Sequence, residues 1–302
     1  MQMLEVVIGL LFILLLLSLL GTTIMELISS GLGLRGQNLE KALENMLATS
    51  DTGKTVLKAF KENSLFKQLS YRFFGKHFNP SYLSSKSFQS ILFDVILKGK
   101  DLNLDNIKKT IDEIEDTDLR NVLNQMLQEA SLKVGGELEE FQGKVQGWYD
   151  DIMDRASGWF KRYTQKILLL VGLFIAVLFN ADTLTIYDRL ESNPVLLQQV
   201  VDMAQSYVAD DSNAPIPLDQ NKDFEQAYAE LGELLNNELS LVHSPLGLGW
   251  EQVNFEEMNF WDWLYKVVGW LTTALAISMG APFWFDLLKK IVNLRGSGSV
   301  SG

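Results

Sequence analysis

The sequence predicts an all-α, polytopic membrane protein with three transmembrane helices, a helical cytoplasmic domain and a smaller, acidic, helical extracytoplasmic domain. Three observations predict this fold class: three strongly apolar stretches, helical periodicity in the polar segments between them, and an uneven distribution of Lys and Arg around the stretches. Of the 302 residues, 47% are hydrophobic, which excludes an intrinsically disordered protein.

The first apolar stretch lies in residues 1–30 and is predicted to be transmembrane helix 1. Between Ile8 and Leu20 only Gly9 and Ser18 interrupt it, and about 20 apolar residues cross the hydrocarbon core of a bilayer. A cleaved signal peptide is the alternative, but it requires a basic amino-terminal region and a small-x-small cleavage site. The first five residues contain no Lys or Arg, so we predict a retained span.

Residues 31–135 are predicted to form a cytoplasmic helical domain. Apolar residues recur there at helical spacing, as in the segment that starts at Ser87, for which Ser84 and Ser85 are candidate N-caps. No run of β-branched residues indicates a buried parallel strand. We therefore expect a small helical bundle of about 100 residues.

Two nucleotide-binding motifs occur in this domain, and both are rejected. The segment 31–36 matches GxGxxG, but a dinucleotide fingerprint follows a strand, whereas this one follows a membrane helix. The segment 48–55 resembles a phosphate-binding loop, with Asp94 as its candidate acidic partner. Its first glycine is replaced by Ala48 and a helix precedes it, so we predict no nucleotide site.

Residues 136–187 are predicted to form a long amphipathic helix that continues into transmembrane helix 2. The apolar core of this span, Ile167–Phe179, measures only about 20 Å as a helix, which is too short alone. We therefore extend the helix to Tyr187, which places Asp182 near a headgroup region.

The cytoplasmic half of that helix carries apolar and aromatic residues every three or four positions. Five of them are candidates for contact with a partner helix: Phe141, Trp148, Ile152, Trp159 and Tyr163. The favoured interpretation is that this face packs on the cytoplasmic domain, because Asp150, Asp151 and Asp154 discourage contact with anionic lipid. The alternatives are a helix on the membrane surface or a helix paired with another subunit.

Residues 188–260 are predicted to form an acidic, helical extracytoplasmic segment. A helix starts near Pro194, and a second helix follows a proline-containing loop. Asp219, Asn221, Asp223 and Glu230 have the spacing of a calcium loop, but the required turn glycine and the preceding helix are missing. A solvated acidic surface is the favoured interpretation.

Residues 261–290 are predicted to form transmembrane helix 3, and residues 291–302 a flexible cytoplasmic tail. The span is entered through Trp261, Trp263 and Tyr265, which are typical of an interfacial aromatic belt. Small residues recur along it and favour close helix packing: Gly269, Thr273, Ala276 and Gly280. Pro282 is expected to kink this helix.

The distribution of Lys and Arg predicts the orientation of the three spans. Residues 31–166 contain 20 basic and 19 acidic residues, whereas Ala181–Trp261 contains two basic and 15 acidic residues. Lys289, Lys290 and Arg295 follow span three. The positive-inside rule then places the N-terminus outside and the C-terminus in the cytoplasm.

Charged and helix-breaking residues at membrane depth are the candidate functional residues, since charge there is costly. The candidates are Glu26, Asp182, Gly280, Pro282 and Asp286. Glu26 and Asp286 are both predicted at inner ends of spans, where they could face each other or each find a cation. The favoured interpretation is that both are hydrated.

The sequence offers few residues that could form a catalytic site. The chain has no cysteine, which excludes disulfides, zinc–cysteine sites and cysteine nucleophiles, and its net charge of −12 argues against a nucleic-acid partner. The two histidines, His77 and His243, are predicted on opposite sides of the membrane, so they cannot share a site. We predict no enzyme activity, no cofactor and no metal.

Several stretches resemble a group of bacterial inner-membrane proteins of uncharacterised function. They are Arg35–Gly36, Tyr149–Gln165, Asn180–Leu184, Gly280–Leu288 and Asn293–Gly296. The resemblance implies a multi-pass protein of the bacterial plasma (inner) membrane, and it transfers no activity and no residue roles.

The leading functional prediction is a membrane-anchored helical scaffold or adaptor. Its expected partners are the lipid bilayer and either another copy of the chain or another protein, held through the cytoplasmic helical domain. The alternative is a homo-oligomeric channel with Glu26 and Asp286 near its inner mouth, since three spans per subunit cannot enclose a pore alone.

Overall fold

The structure is a computed structural model that describes residues 2–48, 50, 53–73, 76–133, 135–210, 213–215, 224–238, 248–250, 253 and 258–298. The protein is predominantly helical, which confirms the predicted all-α class. The helices are α1 (Gln2–Leu32), α2 (Leu34–Leu47), α3 (Gly53–Glu62), α4 (Ser64–Leu69), α5 (Ser85–Leu97), α6 (Leu104–Asp112), α7 (Thr117–Ala130), α8 (Glu137–Leu178), α9 (Thr183–Ser192), α10 (Pro194–Ala209), α11 (Phe224–Glu233, continued by a π-helical turn, Leu234–Glu238), α12 (Phe260–Ser278) and α13 (Ala281–Gly298).

A short antiparallel hairpin lies between α4 and α5 and was not predicted from the sequence. Its strands are β1 (Tyr71–Phe73) and β2 (Lys76–Phe78), and Tyr71 pairs with Phe78. The rings of this pair stack with their centroids 5.5 Å apart. Three residues per strand are too few to show the alternating pattern by which strands are recognised.

The chain divides into two compact units. The central unit comprises residues 31–160, and the terminal unit comprises residues 1–30 together with 161–302. The predicted cytoplasmic domain, 31–135, is therefore extended by the first half of α8.

The first half of α8 completes the core of the central unit. Phe141, Val145 and Tyr149 are buried among side chains from α2, α3, α5, α6 and α7. The ring of Phe88 on α5 stacks on Tyr149 at 4.6 Å between centroids and contacts Trp148. The part of the aromatic face from Phe141 to Ile152 thus packs on its own domain, as the favoured interpretation of the sequence predicts for the whole face.

The segment that resembles a phosphate-binding loop is the start of a helix. Gly53 is the first residue of α3, and the backbone N–H of Ser50 donates to Asp116 at 3.2 Å. Asp116 is buried and also caps α7 by accepting from the N–H of Leu119 at 2.9 Å. Residues 49, 51 and 52 lie outside the described residues. The contacts of Ser50 therefore serve a helix cap.

Replacing Tyr149 by phenylalanine is expected to destabilise the protein by about 1–3 kcal/mol, because a buried acceptor loses its donor. The Tyr149 hydroxyl donates to the Leu83 carbonyl at 2.6 Å, and both residues are buried. Denaturant unfolding of the full chain in detergent measures the loss. Tyr82→Phe is the matched control, since that side chain is exposed, and equal losses in the two variants would contradict the assignment.

The same variant should also change the response to alkali. Burial, with smaller contributions from Tyr82 and Asp150, raises the pKa of the Tyr149 hydroxyl above its ordinary value. The folded state then holds this proton more tightly than the unfolded state, so stability should fall as pH rises above about 10. Tyr149→Phe should lack that part of the alkaline loss.

In the terminal unit, α1 is the central helix and is largely buried. Leu168 and Ile175 of α8 lie beside Gly21, whereas Leu190 of α9 and Val200 of α10 lie beside Gly9. The path from α8 to α9 therefore runs antiparallel to α1. Among the described residues, α1 is the one helix long and apolar enough to cross a membrane unaided, and two bent helix pairs also qualify if each pair counts as one span.

The second predicted span is broken rather than continuous. α8 runs unbroken from Glu137 to Leu178, as the sequence predicts, but it does not continue to Tyr187. The chain turns at Asn180, which has a positive φ of 48°, and α9 starts at an angle of 51° to α8. Asp182 is the N-cap of α9. Because a new helix is capped at this position, α8 does not continue through it.

The third predicted span is broken more sharply. α12 and α13 meet at an angle of 92° around Gly280, whose φ of 86° is accessible to glycine at little cost. Pro282 lies in the first turn of α13, where a proline is tolerated. The predicted position of the kink is thus confirmed, but residues 261–290 do not form one straight helix.

After the break, α13 returns along the terminal unit toward the start of α1. The Trp284 indole N–H donates to the Ala276 carbonyl at 2.7 Å, and the ring of Phe285 contacts that of Tyr207 on α10. Arg295 then pairs with Glu5 at 2.9 Å. This pair places residue 295 of α13 beside the start of α1.

Candidate functional site

A cleft of about 290 Å³ lies where α8 breaks into α9, beside the start of α12. It combines charged, neutral polar and apolar side chains. The residues that line it are Asn180, Asp182, Thr185, Ile186, Arg189, Leu248, Gly249, Val253, Met258, Asp262, Tyr265 and Lys266.

The broken end of α8 is held by residues just before α12. The Phe179 carbonyl accepts from the N–H of Gly249 at 2.6 Å, and the Asn180 side chain donates to the Gly249 carbonyl at 2.9 Å. The Trp250 indole N–H donates to the Val177 carbonyl at 3.0 Å. The last carbonyl groups of a helix have no hydrogen-bond partner within the helix, and these bonds supply one. The break at the end of α8 is therefore stabilised by neighbouring residues.

Asp182 is buried at the floor of the cleft, with 1% of its surface exposed. Its carboxylate accepts from the N–H of Leu184 and from the Thr185 hydroxyl, each at 2.9 Å. The sequence analysis predicts that Asp182 lies near a headgroup region. It does not predict that the side chain is buried. A Cβ at Gly269 would overlap its carboxylate, so the close approach of α12 to α9 requires this glycine.

Two of the four small residues predicted to favour close packing, Gly269 and Thr273, lie against the start of α9. Thr273 accepts from the backbone N–H of Thr183 at 3.1 Å, and the two hydroxyls are 2.6 Å apart in a buried contact. Close helix approach with hydrogen bonds between hydroxyls is typical of helix packing in membranes.

Lys266 is held as a fixed cation at the wall of the cleft. Its ammonium donates to the Asn180 side chain at 2.7 Å and lies 5.8 Å and 5.7 Å from the ring centroids of Trp250 and Trp270. Two tryptophan rings and an amide oxygen stabilise the charge. The sequence prediction does not include Lys266, although a lone lysine inside an apolar stretch is a usable signal.

The described residues that line the cleft include charges of both signs. Asp182 and Asp262 are the carboxylates, and Arg189 and Lys266 are the cations. Asp262 accepts from the backbone N–H of Asn259 at 2.9 Å in the capping box that begins α12. The sequence prediction includes only Asp182 of these four, because the other three come together through the packing of α9 on α12.

The two acidic candidates at the predicted inner ends of the spans differ in their surroundings. Glu26 is buried, with 5% exposed, which contradicts the interpretation that it is hydrated. Asp286 is exposed on α13. Gly280 and Pro282 form the break that separates α13 from α12 and do not line the cleft.

The five candidates for a partner-helix face are not equally accessible. Phe141 is fully buried in the core of the central unit, so it cannot contact a partner. Trp148 and Ile152 are partly buried against the same core. Trp159 and Tyr163 remain exposed, at 47% and 52%, and lie four residues apart on one face of α8.

Within the part of the chain that the structure describes, no three His, Asp or Glu side chains cluster closely enough to hold a metal ion. His243 and the calcium-loop residues Asp219, Asn221 and Asp223 lie outside that part. The cleft brings charged side chains of both signs to one open volume.

Comparisons with protein-family models, with curated proteins and with solved structures find no match to this chain. The resemblance to bacterial inner-membrane proteins stays a prediction, and the function is argued from the geometry.

Proposed function

We propose that this chain is a membrane-anchored helical adaptor, in which the terminal unit is embedded in a bilayer and the central unit holds a partner protein at its surface. The observation that carries the proposal is an apolar surface on the terminal unit. Gly172 of α8 packs against α12, and the two helices expose apolar side chains: Leu169, Leu170, Phe174, Val177 and Leu178 on α8, and Val267, Val268, Leu271, Leu275 and Met279 on α12. Water disfavours such a surface, whereas hydrocarbon accommodates it.

The length of α1 fits the same placement. From Glu5 to Glu26 this helix rises about 30 Å, close to the thickness of the hydrocarbon core. Trp261 and Tyr265 are exposed at the start of α12, and Trp159 and Tyr163 are exposed just before the apolar half of α8. We assign these two aromatic pairs to the two membrane interfaces.

The basic residues support a cytoplasmic central unit in a bacterial plasma membrane. Arg35 and Lys41 follow α1, and Lys161, Arg162 and Lys166 precede the apolar half of α8. With α13 returning to Glu5, we propose that both termini lie on the opposite, extracytoplasmic side. Lys289, Lys290 and Arg295 then become exceptions to the positive-inside rule.

The central unit has the features of a structural module. Its core is built by its own helices, and Ser84, Asn103 and Asp116 each cap a helix. Outside the core, Lys133 pairs with Glu140, which raises the pKa of the lysine and lowers that of the glutamate. Caps and surface ion pairs stabilise a fold and perform no chemistry, which supports a binding role.

The test is purification of the full chain from native membranes in mild detergent, with mass photometry and proteomics on the same peak. The chain is expected to resist extraction by alkaline carbonate and to carry a stoichiometric second protein. Complete release by carbonate would contradict the membrane anchor. A defined oligomer of this chain alone would contradict the adaptor role.

A homo-oligomeric channel is the second candidate, and one observation favours it. The exposed faces of α10 and α13 carry several polar side chains beside the exposed apolar Val195, Phe283 and Leu294. The polar ones are Gln198, Gln199, Asp202, Ser206, Asp286, Lys290 and Asn293. Both helices lie near Phe12 of α1, since Tyr207 contacts both Phe12 and Phe285. A polar face at this depth favours water or another copy over lipid. The buried Glu26 does not suit the predicted pore mouth.

A further inference from the structure

We infer that α8 binds an anionic glycerophospholipid at the point where its polar half meets its apolar half. Arg162 and Lys166 hold the phosphate of the headgroup, and an acyl chain lies along Leu170 and Phe174. This rests on the proposed membrane anchor, to which it adds the class of lipid that the chain selects.

These four side chains form one stripe along α8. They follow one another at intervals of four residues, a spacing that places helix side chains on the same face. All four are exposed, and Leu170 and Phe174, at 66% and 64%, are the most exposed large apolar side chains of the helix. Between Arg162 and Leu170 the stripe changes from cationic to apolar within about 12 Å. A phospholipid changes from headgroup to acyl chain over a similar length.

The stripe faces away from the packed interior of the terminal unit. Leu168, on the opposite side of α8, is buried beside Gly21 of α1. α12 meets α8 at Gly172, where Ile277 lies beside it, and α12 ends one residue after Ile277. Of the described helices, α12 therefore stops short of the two cations, which leaves this part of α8 accessible to lipid.

The charge around the stripe favours an anionic headgroup. Between Asp154 and Asp182 the chain contains four basic residues and no Asp or Glu. Arg162 supplies a planar fork that matches two oxygens of a phosphate, and Lys166 supplies a second cation one helical turn away. A phosphatidylcholine headgroup would bring its own cation to these two, whereas phosphatidylglycerol brings a net negative charge.

The two cations lie at headgroup depth in the proposed placement. Tyr163, which belongs to the aromatic pair assigned to this interface, is exposed beside Arg162. Leu170 and Phe174 follow Lys166 by about 6 Å and 12 Å along the helix, so they reach into the hydrocarbon. Because the cytoplasmic leaflet is rich in anionic lipids, basic residues next to a span attract them.

The test uses the purified full chain in mild detergent with an equimolar mixture of phosphatidylglycerol and phosphatidylcholine of equal chain length. Native mass spectrometry measures how much of each lipid is retained, and we expect preferential retention of phosphatidylglycerol. Equal retention of the two lipids would overturn the inference. Soluble glycerol phosphate, added at the concentration of the lipid, should not displace it. Complete displacement would show that phosphate alone is recognised and would contradict the role of Leu170 and Phe174.

Paired substitutions locate the site. Arg162→Gln with Lys166→Gln is expected to lower the preference for phosphatidylglycerol at least about tenfold, as for the loss of two cationic contacts with an anionic headgroup. Arg162→Lys with Lys166→Arg keeps both charges and should retain most of the preference. Lys108→Gln with Lys109→Gln is the matched control, since both lysines are exposed on α6 and the pair removes the same net charge. An unchanged preference in the first pair, or an equal loss in the control pair, would overturn the assigned site.

Failure of the membrane anchor is seen separately. Carbonate extraction reports whether the chain is embedded in a bilayer, whereas lipid selection is measured on the detergent-purified chain. A chain that resists carbonate but retains both lipids equally would overturn only the lipid selection. Release by carbonate would contradict the anchor itself.

Discussion

Gly269→Ala is expected to lower the stability of the protein by about 2–4 kcal/mol, the combined effect of overpacking and a disturbed helix cap. The added Cβ would overlap the Asp182 carboxylate, which is buried and held by hydrogen bonds to the first turn of α9. The carboxylate cannot move aside without losing those bonds. The measurement is thermal unfolding of the purified full chain in detergent.

Gly232→Ala is the matched control for this substitution. Gly232 also lies in a helix of the terminal unit, but a Cβ there meets nothing within 4 Å. Alanine has the higher helix propensity, so the control should be neutral or stabilising by up to about 1 kcal/mol. An equal loss in both variants would show that the effect does not arise from the Asp182 contact.

A second substitution makes the mechanism testable. Serine is shorter than aspartate and still caps helices well, so Asp182→Ser should leave room for a Cβ at position 269. The double variant is therefore expected to be more stable than the sum of the two single effects implies. Strict additivity would indicate that Gly269 is required for another reason, such as the contact of Thr273 with Thr183.

Local patterns predict the helices of the central unit because each helix buries one stripe of its surface. Phe88, Ile91 and Leu92 have helical spacing, and all three are buried. Ser84, predicted as a cap, accepts from the N–H of Ser87 at 3.1 Å. The apolar half of α8 and the whole of α1 were equally evident, since their composition alone sets them apart.

The two helix breaks are less evident in the sequence than the helices themselves. Asp182 precedes a helix as an N-cap, and Gly280 followed by Pro282 has the order of a helix stop and restart. Hydropathy averaged over a window does not resolve such breaks, because the flanking apolar residues dominate the average. The kink expected at Pro282 is found close to that position, but its size, 92° between α12 and α13, was not evident from the sequence.

The cleft could be predicted only in part. Asp182 was recognisable as a charge at membrane depth, but its partners depend on the packing of α9 against α12. Lys266, for example, meets Asn180 across 86 positions of sequence. Contacts at such separation follow from the fold and not from any local pattern. The return of α13 toward α1 could not be predicted from the sequence for the same reason.

Cysteines at positions 5 and 295 are expected to be joined within one chain by a short bis-maleimide reagent. In the structure, Glu5 and Arg295 form an ion pair at 2.9 Å, and both side chains are partly exposed. The natural chain has no cysteine, so Glu5→Cys with Arg295→Cys gives a double variant without background reaction. Mass spectrometry of proteolytic fragments identifies the linked peptides.

The control pair is Glu5→Cys with Leu32→Cys, because these positions lie about 40 Å apart along α1 and cannot be bridged by a short reagent. Labelling with a membrane-impermeant maleimide completes the design. If α13 returns, positions 5 and 295 react from the same side of intact vesicles. If residues 261–290 cross as one straight helix, the pair is not linked and the two positions react from opposite sides.

The two arrangements differ in where the charges of α13 lie. The first places Lys289 and Lys290 on the same side as the acidic segment 188–260, and the second places them on the side of the central unit. Linkage would therefore establish that the packing of α13 in the terminal unit outweighs the positive-inside preference, even without the pair between Glu5 and Arg295.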